Sequence, residues 1–195
     1  MLEYMFRAVL PPLNSNQTVL DVGSRLGAVL YGAYLFSGAG KIQGIEINKD
    51  LCELQNRVIK AFNFGGRASV IHANMITRPD LFALADVVVL NNVFEWFAES
   101  SEQVAMWRFL CSNIKAGALI VTMPSIEKAV EGLRLDMSIE MWIRPLNHTA
   151  PDIVSSMGEI DFTQDVHLYQ VINRPQIHDN PNEQLSSSGS TFDMY

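Results

Sequence analysis

The segment Val19-Leu20-Asp21-Val22-Gly23-Ser24-Arg25-Leu26-Gly27 passes from an apolar run into a turn carrying two glycines. Residues 18–22 read as a short buried strand and residues 26–36 recur at helical period, so the order is strand, glycine-rich turn, helix. Such a turn offers unpaired backbone N–H groups at a helix N-terminus, where aligned peptide dipoles favour an anionic or polar group. The acid inside the turn narrows the ligand. Asp21 stands two residues before the first glycine, where the dinucleotide fingerprint Gly-x-Gly-x-x-Gly has no acid. A carboxylate there repels a pyrophosphate and suits an ammonium group. No Gly-Lys-Ser/Thr occurs in the chain, so the phosphate loop of nucleotide triphosphatases is also missing.

Working outward, residues 41–46 read as the next strand, with Glu46 at its carboxyl end, 25 residues after Asp21. An acid near that spacing is placed to accept hydrogen bonds from both hydroxyls of a ribose. The ligand so described has an amino-acid end and a nucleoside end.

On these residues the chain resembles the class I S-adenosylmethionine-dependent methyltransferases. Their first motif reads acid-x-Gly-x-Gly-x-Gly and their second is an acid ending the second strand. Asp21, Gly23, Gly27 and Glu46 match, and Arg25 stands where the family has its middle glycine. The resemblance implies one Rossmann-like α/β domain over residues 18–173. Its sheet would be mostly parallel and seven-stranded, with helices on both faces and an antiparallel C-terminal strand pair. It further implies S-adenosyl-L-methionine as cofactor, held by Asp21, Gly23, Ser24, Gly27 and Glu46. In the family, the loop after the third strand carries an acid that accepts from the adenine amine. Asn74 falls at about that position and can accept the same bond without charge, with Met75 or Ile76 over the ring. A loop Asn is equally a turn former.

Residues 84–90, with Val87-Val88-Val89-Leu90, give the strongest strand signal, a central strand buried on both faces. It leads into Asn91-Asn92-Val93-Phe94-Glu95, beyond the carboxyl end of a parallel strand, where ligands of open α/β sheets lie. An Asn-Asn pair after a Val-rich strand is similar to the non-SET histone-lysine methyltransferases of the telomeric-silencing type, as are the Asp-x-Gly-Ser turn and residues 115–121. That similarity implies a lysine acceptor. This chain departs from it in the displaced Phe and in having no matching basic tail. An Asn/Asp-Pro-Pro-aromatic run, the mark of the amino-adenine methylases, is absent as well.

Elsewhere, residues 1–17 form an N-terminal helical segment closed by Pro11-Pro12. Residues 48–62 read as a helix with Leu51, Leu54, Val58, Ile59 and Phe62 on its apolar side, and 68–71 as a third strand. Residues 101–114 read as a helix capped by Ser100 or Ser101, and 118–123 as a fifth strand. Residues 137–143 and 166–172 read as the closing strand pair, with a short helix over 152–157. Residues 174–195, rich in Pro, Asn, Ser and Gly, read as a disordered tail.

The chain has 195 residues, 48% of them apolar, enough for one substantial core. A net charge of −7 argues against a general nucleic-acid binder; a basic partner such as a positively charged protein tail would suit it better, and solubility alone also accounts for the acidity. Cys52 and Cys111 show neither zinc nor disulfide spacing, and no apolar run reaches the ~18 residues of a membrane span. A reducing compartment, cytoplasm or nucleus, is expected, since no secretory signal is seen at the start.

Methyl transfer from a sulfonium disperses charge, so alignment of nucleophile, methyl and sulfur supplies much of the rate. Glu95 is the best candidate for a base, or else a solvated residue opening the next loop. Asn91 and Asn92 would orient an acceptor amide or amine, with Asn91 also at the cofactor. His72, His148 and His167 have no partner recognisable by spacing and read as structural or surface residues. Three functions stay open: an active methyltransferase; a binding or scaffold module of the same fold without catalysis, motivated by Arg25; and a nicotinamide oxidoreductase, disfavoured by Asp21.

Overall fold

Val19, Leu20 and Val22 have almost no exposed surface, which is why β1 (Thr18–Val22) is apolar on both sides rather than alternating. The computed structural model describes residues 1–91, 98–147 and 165–173. Around β1 lie β2 (Lys41–Glu46), β3 (Ala68–His72), β4 (Val87–Asn91) and β5 (Leu119–Met123). The sheet closes with β6 (Ile143–Leu146) and β7 (His167–Val171). The order is β3-β2-β1-β4-β5-β7-β6. Strands β1 to β5 pair in parallel, and β7 lies antiparallel between β5 and β6. The expected fold class stands.

Chain order runs outward from β1 through β2 to β3, then restarts at β4 on the other side. The switch point therefore lies between β1 and β4, and the carboxyl ends of strands at such a point are where open α/β sheets hold their ligands. One sheet face packs Leu20, Val88, Leu90 and Ile120 against α4 (Pro79–Leu84) and α5 (Ser100–Asn113), with Phe82, Trp107 and Leu110 at the centre. On the opposite face Val19, Val87, Val89 and Val121 meet α2 (Ala28–Phe36), α3 (Lys49–Ala61) and the N-terminal segment. That segment is α1 (Leu2–Tyr4) continued by one π-helical turn, Met5–Val9. Met5, Phe6, Val9 and Leu10 are buried in the second core, so residues 1–17 belong to the same body as the sheet. Among the described residues no helix is long and apolar enough to cross a membrane.

Four local expectations change. Residues 84–90 do not form one strand: Pro79 at N1 starts α4, which ends at Leu84, and the strand begins at Val87. The buried side of α3 is Cys52, Gln55 and Ile59, while Phe62 is 66% exposed, because Gln55 is drawn inward by polar partners described below. Glu99, not Ser100 or Ser101, caps α5, in a capping box with Glu102. Residues 137–143 are not a strand. Ser138 caps a helical turn, α7 (Ile139–Trp142), which fully buries Trp142 edge-on to Trp107, ring centroids 6.4 Å apart. The strand follows at Ile143, and its Pro145 is tolerated because β6 is the sheet edge. The segments 148–164 and 174–195, with the helix expected over 152–157, His148 and the expected tail, lie outside the described residues.

Candidate functional site

The turn after β1 is built on three left-handed residues, Gly23 (φ 66°), Arg25 (φ 47°) and Gly27 (φ 81°). A Cβ on Gly27 would sit 2.6 Å from the Tyr31 hydroxyl, so both backbone and space require glycine there. Arg25 takes the same conformation against its side chain's preference. The turn is held by acceptors from β2. Ile45 O accepts from the amides of Gly23 (2.8 Å) and Ser24 (3.1 Å), and Ser24 O accepts from Gly27 (2.7 Å). The Glu46 carboxylate accepts from the Arg25 amide at 2.9 Å and, through its other oxygen, from the Asn48 amide at 2.8 Å.

These bonds correct the expectation of a turn full of unpaired amides. Those of Gly23, Ser24, Arg25 and Gly27 are spoken for. The amides that face outward belong to the first turn of α2, which has no intrahelical acceptors for them. The Ser24 side chain is also turned inward. Its hydroxyl donates to Gln55 Oε1 (2.9 Å), and Gln55 Nε2 donates to Arg25 O (2.8 Å). A Cβ on Gly44 would lie 2.6 Å from Ser24 Oγ, which explains a glycine in the middle of β2. Ser24 thus braces the turn from below through its side chain.

Asp21 pairs with Gly44 across the ladder, and Glu46 is two residues further along β2 on the same face. Both are buried, Asp21 at 3% exposure and Glu46 at 6%. Burial, and then the like charge of Glu46, push the Asp21 carboxyl well above the usual carboxylate range. Among the described residues no hydrogen-bond donor meets the Asp21 carboxylate.

Beside the acids the rim carries exposed apolar side chains: Leu26 in the turn, Ile47 directly after Glu46 (66% exposed) and Ile76 (48%). Met75, expected over a ring, is instead part of the core at 7% exposure, and Ile76 takes the surface position. The Asn74 side chain accepts from the Ile76 amide (3.2 Å), capping the short 3-10 turn Met75–Thr77. Its amide oxygen is at work in the turn. Ile47 was not found by sequence reasoning, although an apolar residue directly after an acid that ends a strand was the available signal. Asn91 ends β4, the strand beside the switch point, and is half-buried and paired with Met123 of β5. Asn92 and Glu95 fall in residues 92–97, outside the described residues. Trp107 is core, as expected, and His72 makes a surface contact with Ile47 O.

No protein-family model and no curated protein matches the chain. Solved structures do. A Clostridium thermocellum protein described as an rRNA methylase superposes with a TM-score of 0.57 at 9% identity, over 89% of this chain and 94% of that one. An RNA methyltransferase from Salinibacter ruber, in complex with S-adenosyl-L-homocysteine, gives 0.52 at 18% identity, over 82% and 84%. The fold is that of the class I methyltransferases. PKMT2 from Rickettsia typhi gives 0.50 at 16% identity over 72% of this chain, which spans only 25% of that protein. At these identities the likeness is one of fold.

Proposed function

We propose that the chain is an S-adenosyl-L-methionine-dependent methyltransferase whose acceptor is a protein side chain, such as lysine, or a small molecule. One observation carries this: two buried acids, Asp21 and Glu46, stand on one face at the carboxyl ends of adjacent parallel strands beside the switch point. Asp21, without a described donor, meets the ammonium of the methionine end. Glu46, with each oxygen already accepting one amide, keeps a lone pair on each for a ribose hydroxyl. Ile47 and Ile76 flank the adenine, and the first-turn amides of α2 face the methionine carboxylate. Gly23, Ser24 and Gly27 shape the turn, Asn74 borders the adenine, and Asn91 lies nearest the transferred methyl. The cofactor brings the electrophilic methyl, and the chain's residues bind it, orient it and exclude water.

The RNA acceptors named for two of the structural neighbours do not suit this chain, whose net charge of −7 would repel a phosphate backbone. A second reading, a binding module of the same fold without catalysis, is favoured by Arg25 at the middle glycine. Calorimetry with S-adenosyl-L-methionine tests the binding that both require. Affinity should fall at least 100-fold in Asp21→Ala, and wild-type protein that binds NAD instead would overturn the assignment. Transfer of a labelled methyl group, unchanged in both Asn91→Ala and Glu95→Gln, would remove the catalytic roles proposed for those two residues.

A further inference from the structure

The peptide that leads into α2 is held from below. Gln55, on the inner side of α3, is fully buried, so no ligand can touch it. Its Nε2 donates to Arg25 O at 2.8 Å while its Oε1 accepts from the Ser24 hydroxyl at 2.9 Å. Chemistry fixes that orientation, because a carbonyl can only accept: turned over, the amide would set Oε1 against Arg25 O and lose the bond. Packing holds the side chain in place as well. Gln55 Cγ lies 3.1 Å, and the Tyr31 hydroxyl 2.6 Å, from where a Cβ on Gly27 would be.

Arg25 O and the Leu26 amide belong to one peptide unit, and in a trans peptide the C=O and N–H point to opposite sides. With the carbonyl drawn down onto Gln55, the Leu26 N–H points away from α3 and out of the turn, where Leu26 is 60% exposed. Among the described residues this amide has no acceptor. It joins the first-turn amides of α2 as a donor offered to an anion. The same bond bears on Arg25 itself. A left-handed backbone, here φ 47°, is costly for a residue with a Cβ. Side chains pin it at both ends, the N–H by Glu46 and the C=O by Gln55. A glycine would need neither pin.

Resting on the methyltransferase reading, we propose that Gln55 is a positioning residue for the carboxylate at the amino-acid end of the cofactor. It keeps Arg25 left-handed where the family has a glycine, and so aims the Leu26 N–H at that carboxylate. The nucleoside end is held separately: Glu46 accepts from the Asn48 amide, and the Cys52 thiol donates to Glu46 O at 3.5 Å. Loss of Gln55 should therefore weaken the grip on one end of the ligand and spare the other.

Calorimetry on the full chain compares two ligands, S-adenosyl-L-homocysteine and 5′-methylthioadenosine, the second a nucleoside thioether without the amino-acid end. In Gln55→Met the affinity for S-adenosyl-L-homocysteine should fall roughly tenfold or more, as for loss of a hydrogen bond to a charged group, while that for 5′-methylthioadenosine changes less than about threefold. A residue that merely supports the fold would lower both alike. In an Arg25→Gly background, where a left-handed backbone needs no pin, the same substitution should cost less than about threefold in affinity for either ligand. Equal losses for the two ligands, no loss for either, or an undiminished loss in the Arg25→Gly background would each overturn the role of Gln55. Should Gln55→Met not fold by itself, the double variant decides: a folded chain that binds S-adenosyl-L-homocysteine supports the proposal, and one that fails to fold or to bind overturns it. Absence of S-adenosyl-L-homocysteine binding in the wild type would instead remove the reading beneath it.

Discussion

The two halves of the rim are built differently. On the β1–β2 side the backbone of the turn is tied: Ile45 O and Glu46 hold it and Gln55 closes Ser24 onto Arg25, while Asp21 stands buried without a donor among the described residues. On the β5–β7 side the Thr122 hydroxyl is buried without a hydrogen-bond partner among the described residues, and the link between Glu127 of α6 (Ile126–Ala129) and Tyr169 joins residues 42 apart in sequence. The first half is the more fully hydrogen-bonded of the two among the described residues.

Glu46→Ala tests the tied half with the largest expected effect. It strips the acceptor from two backbone amides, Arg25 and Asn48, at about 0.5–1.5 kcal/mol for each part-buried hydrogen bond lost. Urea unfolding should show that loss of stability, together with cofactor affinity too weak to measure. Thr122→Val, on the β5–β7 side, should leave stability unchanged or raised, since among the described residues the hydroxyl has no hydrogen-bond partner. If both substitutions destabilise equally, the contrast between the halves is wrong.

Asp21→Asn sharpens the contrast by separating binding from stability. The folded-state pKa of Asp21 lies above its unfolded value, so between the two the native state holds more protons. Wild-type stability therefore falls as pH rises from the ordinary carboxylate range through that raised pKa. Asn carries no charge to bury. The variant should be more stable than wild type at neutral pH without ligand, and should lose that advantage in acid, where Asp21 is protonated. Cofactor binding should be lost all the same. Thermal melts at pH 4 and pH 7.5, with and without S-adenosyl-L-methionine, give all four comparisons.

The difference between the halves is also a difference in what the sequence exposes. The turn, Asp21 and Glu46 are legible because strand, turn and acid follow one another along the chain, and β1 and β2 begin and end where the residue pattern puts them. The β5–β7 contacts are not legible. Tyr169 meets Glu127, 42 residues earlier, only because the antiparallel return of β7 lays it beside β5. The same reason hid the inward side of α3: Gln55 looks like a surface residue until Ser24 and the Arg25 carbonyl, some 30 residues away, are brought to it. The choice left open between Met75 and Ile76 has a different origin. A loop position can be read to about one residue, and that single residue decides whether Met75 or Ile76 faces out.

Gly44→Ala probes the brace under the turn with a smaller effect. The new methyl would lie 2.6 Å from Ser24 Oγ and 2.8 Å from its Cβ, so the turn must rise or Ser24 must leave Gln55. A cost of about 1–3 kcal/mol is expected, as for overpacking elsewhere. Cofactor affinity should fall with it if the turn is as tightly tied as its hydrogen bonds imply.

The smallest expected effect concerns Arg25, where the tied half departs from its family pattern. A left-handed residue with a Cβ costs about 1–2 kcal/mol, and glycine removes that cost while adding roughly 0.5–1 kcal/mol of unfolded-state entropy. Arg25→Gly should therefore be more stable than wild type by about 0.5–1 kcal/mol by urea unfolding. The Arg25 amide that donates to Glu46 and the carbonyl that accepts from Gln55 are backbone groups, so the turn keeps both bonds in the variant. If the conformation alone mattered at this position, cofactor affinity would be unchanged or improved. A variant that gains stability but loses affinity would mean that the guanidinium itself contacts the ligand, with the strained backbone retained to aim it.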